Sequence, residues 1–101
     1  MKYQVTKNGA TATATITGQM TFDDRADAPA MATALTADGT GRIVLDLTQV
    51  DYMDSAGLGI LLTLREKAQA KAIPIALSGM TGSVREVLDL ACFDTLFEFT
   101  S

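Results

Sequence analysis

Tyr3 and Val5 alternate with Lys2, Gln4 and Thr6, a period of two that predicts a strand with one buried face. Asn8-Gly9 follows and predicts a type I′ turn, whose two central positions both need positive φ. From Ala10 to Thr17, alanine alternates with threonine until Ile16 takes the apolar place. A second strand is expected there, with one threonine-rich face and one small apolar face. Gly18 is expected to close it. The chain therefore opens on a predicted β-hairpin whose alanines would let a helix lie close to the sheet.

The period then changes. Thr21 is a candidate helix N-cap with Asp24 three residues on, the capping-box spacing. Ala26, Ala30, Ala34, Met31 and Leu35 supply a helical stripe to about Thr36, with Pro29 inside it. Ala37 to Gly41 is a break. Arg42-Ile43-Val44-Leu45-Asp46-Leu47 predicts a central strand covered on both faces, ended by Thr48-Gln49. Val50, Tyr52 and Met53 lead into a turn at Asp54-Ser55-Ala56-Gly57. Leu58, Leu61, Leu62, Leu64 and Ala68 then recur at helical spacing, and this helix should end near Lys71. Ile73 to Leu77 predicts a strand. Thr81 or Ser83 could cap the next helix, and Ser83 with Glu86 has the capping-box spacing. Val84, Val87, Leu88 and Ala91 form its apolar face, and Phe93 to Phe99 could make a last strand.

After the hairpin, helices and strands alternate. That order predicts an α/β fold with a mixed or mostly parallel sheet joined by crossovers. Functional loops gather at the carboxyl ends of such strands, which is where the Asp54-Ser55 turn falls.

Composition narrows the chemistry. The 101 residues suit one domain spanning 1–101, able to remove roughly two-thirds of the unfolded surface from water. The formal charge of −4, with scattered basic residues, argues against nucleic acid as a partner. Histidine is absent, which removes His-dependent triads, His-ligated metal and the usual neutral-pH general base. The one cysteine, Cys92, lies in an apolar segment and is expected in the core. No stretch approaches the roughly 20 apolar residues of a membrane span, and no leader-type run opens the chain. A cytoplasmic monomer that acts on no membrane is the expectation.

In Asp54-Ser55-Ala56-Gly57-Leu58-Gly59, Asp54 and Ser55 are both good caps, and the small residues after them leave the turn uncrowded. A hydrolase would need a base beside its serine and a glycine two residues before it, where Met53 stands. A phosphate loop would need a lysine that is missing. Local chemistry alone gives a helix cap with a reachable hydroxyl.

Ile43 to Leu47, followed by Val50-Asp51-Tyr52-Met53-Asp54-Ser55-Ala56-Gly57-Leu58-Gly59, resembles the signature of the STAS family, and more narrowly that of the bacterial anti-sigma factor antagonists. The resemblance also takes in the hairpin, Gly18 and Val84 to Leu88. It implies the STAS fold, with a mixed four- to five-stranded sheet and helices mainly on one face. It implies a non-enzymatic switch, with no catalytic residue, metal or cofactor of its own, in which Ser55 is phosphorylated by a kinase-type anti-sigma factor that brings its own ATP. The unphosphorylated form would bind that kinase and free the sigma factor, and a PP2C-type phosphatase would reset the cycle. Asp54 would shape the acceptor site, with Ala56, Gly57 and Leu58 in the docking surface. Thr21 stands where many antagonists carry an aspartate, and the acids of that loop are Asp23 and Asp24; Thr21 and Asp23 are expected in the partner-binding surface. Two alternatives stay open: a STAS-like accessory subunit of a lipid-transport ABC complex, and a phosphorelay switch with a non-sigma output.

Overall fold

The computed structural model describes residues 1–100. Strand β1 (Lys2–Asn8) pairs antiparallel with β2 (Thr11–Met20). A 3₁₀ segment (Phe22–Asp27) leads into helix α1 (Ala28–Leu35) and strand β3 (Arg42–Met53). Helix α2 (Ser55–Ala70), strand β4 (Ile75–Ser78), helix α3 (Gly82–Leu90), a short 3₁₀ turn (Phe93–Thr95) and strand β5 (Glu98–Thr100) complete the chain. The sheet runs β1-β2-β3-β4-β5, and every pair after the hairpin is parallel. It is the mixed α/β sheet that the alternation predicts, with five strands.

Each crossover steps to the next strand in the same direction. Right-handed connections of that kind leave all their helices on one face. The register row Val5, Ala14, Leu45, Leu77 and Phe99 lies on that face. Ile43, Leu45 and Leu47 join Met31, Leu61, Val84 and Leu88 in a single core. On the opposite face Thr13, Thr15, Val44 and Asp46 are only half-buried. The expectation that β3 is covered on both faces is therefore wrong. Its apolar run needs only one helical layer, because the small residues Thr13 and Ala76 flank Val44 on the other side.

Other departures trace to backbone conformation. The hairpin's central pair is Gly9-Ala10, between the paired Asn8 and Thr11, and only Gly9 has positive φ. Gly18 does not end β2. It adopts φ +92 beside one of two register shifts, and the ladder continues to Met20. The 10 residues of β2 thus face 12 of β3, which runs unbroken through Thr48-Gln49. Pro29 sits in the first turn of α1, where a missing N–H costs nothing. Thr81, not Ser83, is the residue before α3. Phe93 and Phe97 stack at 5.6 Å in a turn and leave only Glu98–Thr100 for the last strand. Cys92 is exposed, in the left-handed conformation, and not in the core. It belongs to the turn that releases α3, where the backbone reverses away from the apolar face.

Candidate functional site

Because β2 and β3 run parallel, both reach the same edge, where Met20 and Met53 are register partners and buried. Each strand then turns, into Thr21 on one side and Asp54 on the other. Asp54 is extended and is the N-cap of α2. Its Oδ1 accepts from the Gly57 N–H at 2.9 Å and its Oδ2 from the Phe22 N–H at 3.3 Å, while its own N–H donates to the Met20 carbonyl at 3.3 Å. One carboxylate therefore ties the first turn of α2 to the start of the 3₁₀ segment. Both its oxygens accept from backbone donors, so Asp54 acts as a cap.

Gly57 is buried, and its place explains its identity. A Cβ there would lie 2.5 Å from the Met20 carbonyl oxygen and 2.5 Å from Met53 Cγ. Only a hydrogen lets α2 seat against the two strand ends. Ser55, the first residue of the helix, faces outward and is exposed. Its hydroxyl makes no hydrogen bond among the described residues. Ala56 and Leu58 are half-buried beside it and Gly59 is exposed. Leu62, one turn further, is 40% exposed, so this leucine leaves the predicted core stripe and extends the outer side instead.

Thr21 is half-buried, and its N–H and hydroxyl donate to Asp24 Oδ2 at 2.8 and 3.1 Å. The Met1 ammonium donates to Asp24 Oδ1 at 2.8 Å. That ammonium holds the Asp24 carboxyl below its ordinary value; burial opposes it, and the Thr21 donors reinforce it. Asp23 is exposed on the same segment. Of the residues singled out in the sequence, Thr21, Asp54, Ser55 and Gly57 converge at one corner, while Asp23, Ala56 and Leu58 flank it.

The sequence reading missed three neighbours. Phe22 is 59% exposed and Tyr52 48% exposed, one on each side of the corner. An aromatic directly after a cap residue, away from any apolar stripe, is the signal that marks Phe22. Arg25 stacks its guanidinium 3.6 Å from the centre of the Phe22 ring and donates from Nε to the Phe22 carbonyl at 3.0 Å. With Ala28, Ala56 and Gly59 it lines a groove of about 240 Å³ between the 3₁₀ segment and α2. A larger open cleft of about 540 Å³, with Lys67 and Lys71 on its wall, lies at the other end of α2. Among the described residues no cluster of three His, Cys, Asp or Glu side chains could hold a metal, and no helix is long and apolar enough to cross a membrane.

The sequence model of a protein family described as "Mlab, STAS domain" matches residues 3–98. The chain belongs to the STAS family. A STAS-domain containing protein of Pseudomonas aeruginosa is 37% identical over 59 residues, covering 58% of each chain. BtrV of Bordetella bronchiseptica, which bears the name of an anti-sigma factor antagonist, is 34% identical over 59 residues, or 58% of this chain and 51% of BtrV. This STAS chain thus spans little more than half the length of those relatives. Among solved structures, the anti-sigma factor antagonist SpoIIAA in its unphosphorylated form superposes with a TM-score of 0.81 over 99% of this chain and 89% of SpoIIAA. At 18% identity that likeness establishes the STAS fold.

Proposed function

We propose that this STAS domain is an anti-sigma factor antagonist switched by phosphorylation of Ser55. The observation that carries the reading is the first turn of α2, where an exposed, unpartnered hydroxyl stands among small side chains on a helix otherwise locked to the sheet. The names of BtrV and SpoIIAA support it. In the forward step a kinase-type anti-sigma factor transfers the γ-phosphoryl group of its ATP to Ser55 Oγ. The new P–O bond forms as the bond to the β,γ-bridging oxygen breaks, ADP leaves, and the hydroxyl proton passes to a base on the kinase. A PP2C-type phosphatase reverses the state with water, releasing inorganic phosphate and restoring the hydroxyl.

Unphosphorylated, the domain docks through Ala56, Leu58 and Gly59, with Thr21 and Asp23 on the adjoining corner. Asp54 and Gly57 act through shape, holding the turn in place. Phosphate adds nearly two negative charges to a surface of small side chains. Burying that charge unpaired costs several kcal/mol, enough to lower affinity by orders of magnitude with no refolding. The switch works in the cytoplasm, where kinase and sigma factor meet.

The test is incubation with candidate kinases from the same genome and ATP, followed by mass spectrometry of the peptide containing Ser55. Absence of phosphate there with every kinase rejects the reading. Ser55→Asp should weaken kinase binding at least about 100-fold, close to 3 kcal/mol, and Ser55→Ala should preserve it. The family match, described by Mlab and not by an antagonist, favours a second reading: an accessory subunit of a lipid-transport ABC complex. Copurification with a transporter ATPase would select it.

A further inference from the structure

Between Thr21 and Leu64 the chain has two basic residues, Arg25 and Arg42. Arg42 is at the far end of β3, on the order of 30 Å away along the strand, and pairs with Glu98. Of the two, Arg25 is the side-chain cation that the fold brings to the corner where Ser55 stands; the Met1 ammonium is also there, already paired with Asp24. The rest of that corner is anionic: Asp54 on the turn, Asp51 before it, and Asp23, Asp24 and Asp27 on the 3₁₀ segment.

Arg25 is also unspent. Its Nε is bonded to the Phe22 carbonyl and its plane lies on the Phe22 ring, but the terminal nitrogens have no acceptor among the described residues. Two of the five carboxylates are engaged elsewhere, Asp24 with Met1 and Thr21 and Asp54 with Phe22 and Gly57, and none of the five pairs with Arg25. Position adds to availability. The Asp54–Phe22 hydrogen bond clamps the start of the 3₁₀ segment to the start of α2. Arg25 lies one 3₁₀ turn beyond Phe22, a rise of about 6 Å that an arginine stem spans readily. It lines the same groove as Ala56 and Gly59, which follow Ser55 by one position and by one turn of α2.

We propose that Arg25 is the intramolecular receiver of the phosphate on Ser55. This rests on the phosphoacceptor reading and adds a second change to it. The guanidinium presents paired donors in a planar fork that matches phosphate oxygens, which an ammonium cannot do. Turning toward the phosphate takes Arg25 off the Phe22 ring. Phosphorylation then alters the surface twice, placing a held anion over the Ala56–Gly59 groove and baring the aromatic ring beside it. The pair also offsets the repulsion from Asp54.

Genetically encoded phosphoserine at position 55 of the full chain tests this without any kinase, so its result is separate from the kinase assay above. In a ³¹P NMR titration, the phosphate should titrate about 0.5 unit lower in the otherwise wild-type protein than with Arg25→Gln, about a threefold change in proton affinity. Arg42→Gln removes the same charge far from the site and should follow the wild type. Arg25→Lys should fall between them, and about 1 M salt should shrink the difference. Circular dichroism of each variant checks that it is folded. Coincident titrations of the wild type and Arg25→Gln, or equal shifts for Arg25→Gln and Arg42→Gln, would overturn the assignment.

Discussion

Gly57 and Gly59 stand two residues apart on one helix, yet a Cβ at Gly57 would strike the Met20 backbone while one at Gly59 would meet nothing within 4 Å. The first turn of α2 thus has an inner side fixed by strand ends and an outer side left empty. On the inner side, Met20, Met53, Asp54 and Gly57 are interlocked by contacts and hydrogen bonds. On the outer side, Ser55 and Gly59 are exposed with little around them. A partner or an added phosphate can use the outer side because the inner side already carries the positioning. The contrast also explains how charge at Ser55 could act without moving the domain: the helix beneath it cannot shift without breaking the corner.

The sharpest way to break this contrast is Gly57→Ala. The new methyl group meets a backbone oxygen, which cannot move aside as a flexible side chain would. A loss of about 2–3 kcal/mol is expected, larger than any gain in helix propensity, and the urea midpoint reads it. Asp54→Ala should cost about 1–2 kcal/mol by removing a cap and freeing the Phe22 N–H, whereas Asp54→Asn should keep most of the stability. Gly59→Ala probes the outer side and should stabilise by about 0.5–1 kcal/mol in the same assay. If the two glycine variants destabilise equally, the inner and outer sides are not distinct.

The smallest signal concerns the adjoining corner and depends on pH. Since the folded Asp24 carboxyl is held below its ordinary value of 3.8, its ionised form contributes stability above that value. That contribution is lost as pH falls through the depressed folded value. Denaturation at pH 7, 5 and 3 should therefore show the wild type exceeding Asp24→Asn most at the two higher pH values, with the gap closing at the lowest. A gap that widens on acidification would reverse the sign of the coupling.

Much of the fold was legible because the signals are local. Alternation in Lys2 to Thr6 and in Ala10 to Thr17 marks strands, and the stripe through Leu61, Leu64 and Ala68 marks α2, since a residue's face follows from its period alone. The Asp54–Gly57 turn was legible for a similar reason, as a run of small and capping residues between a strand and a helix. Gly18 misled because glycine marks both strand ends and bulges, and only the partner strand decides between them. The two register shifts of β2 against β3, which stretch β3 to Met53, follow from pairing and not from either strand's composition. Cys92 misled because apolar neighbours in sequence became a turn pointing away from the core.

By itself, then, the sequence determined the order of elements, the mixed α/β class and a reachable serine at the head of α2. Tertiary structure decided which side of that serine's helix is closed. Gly57 faces inward because Met20 and Met53 end together there, and Phe22 and Arg25 reach the turn because one Asp54 oxygen accepts from a residue 32 positions earlier. Period and capping are properties of neighbouring residues. The wall behind Ser55 and the cation beside it are properties of strands and loops that meet only when the sheet forms.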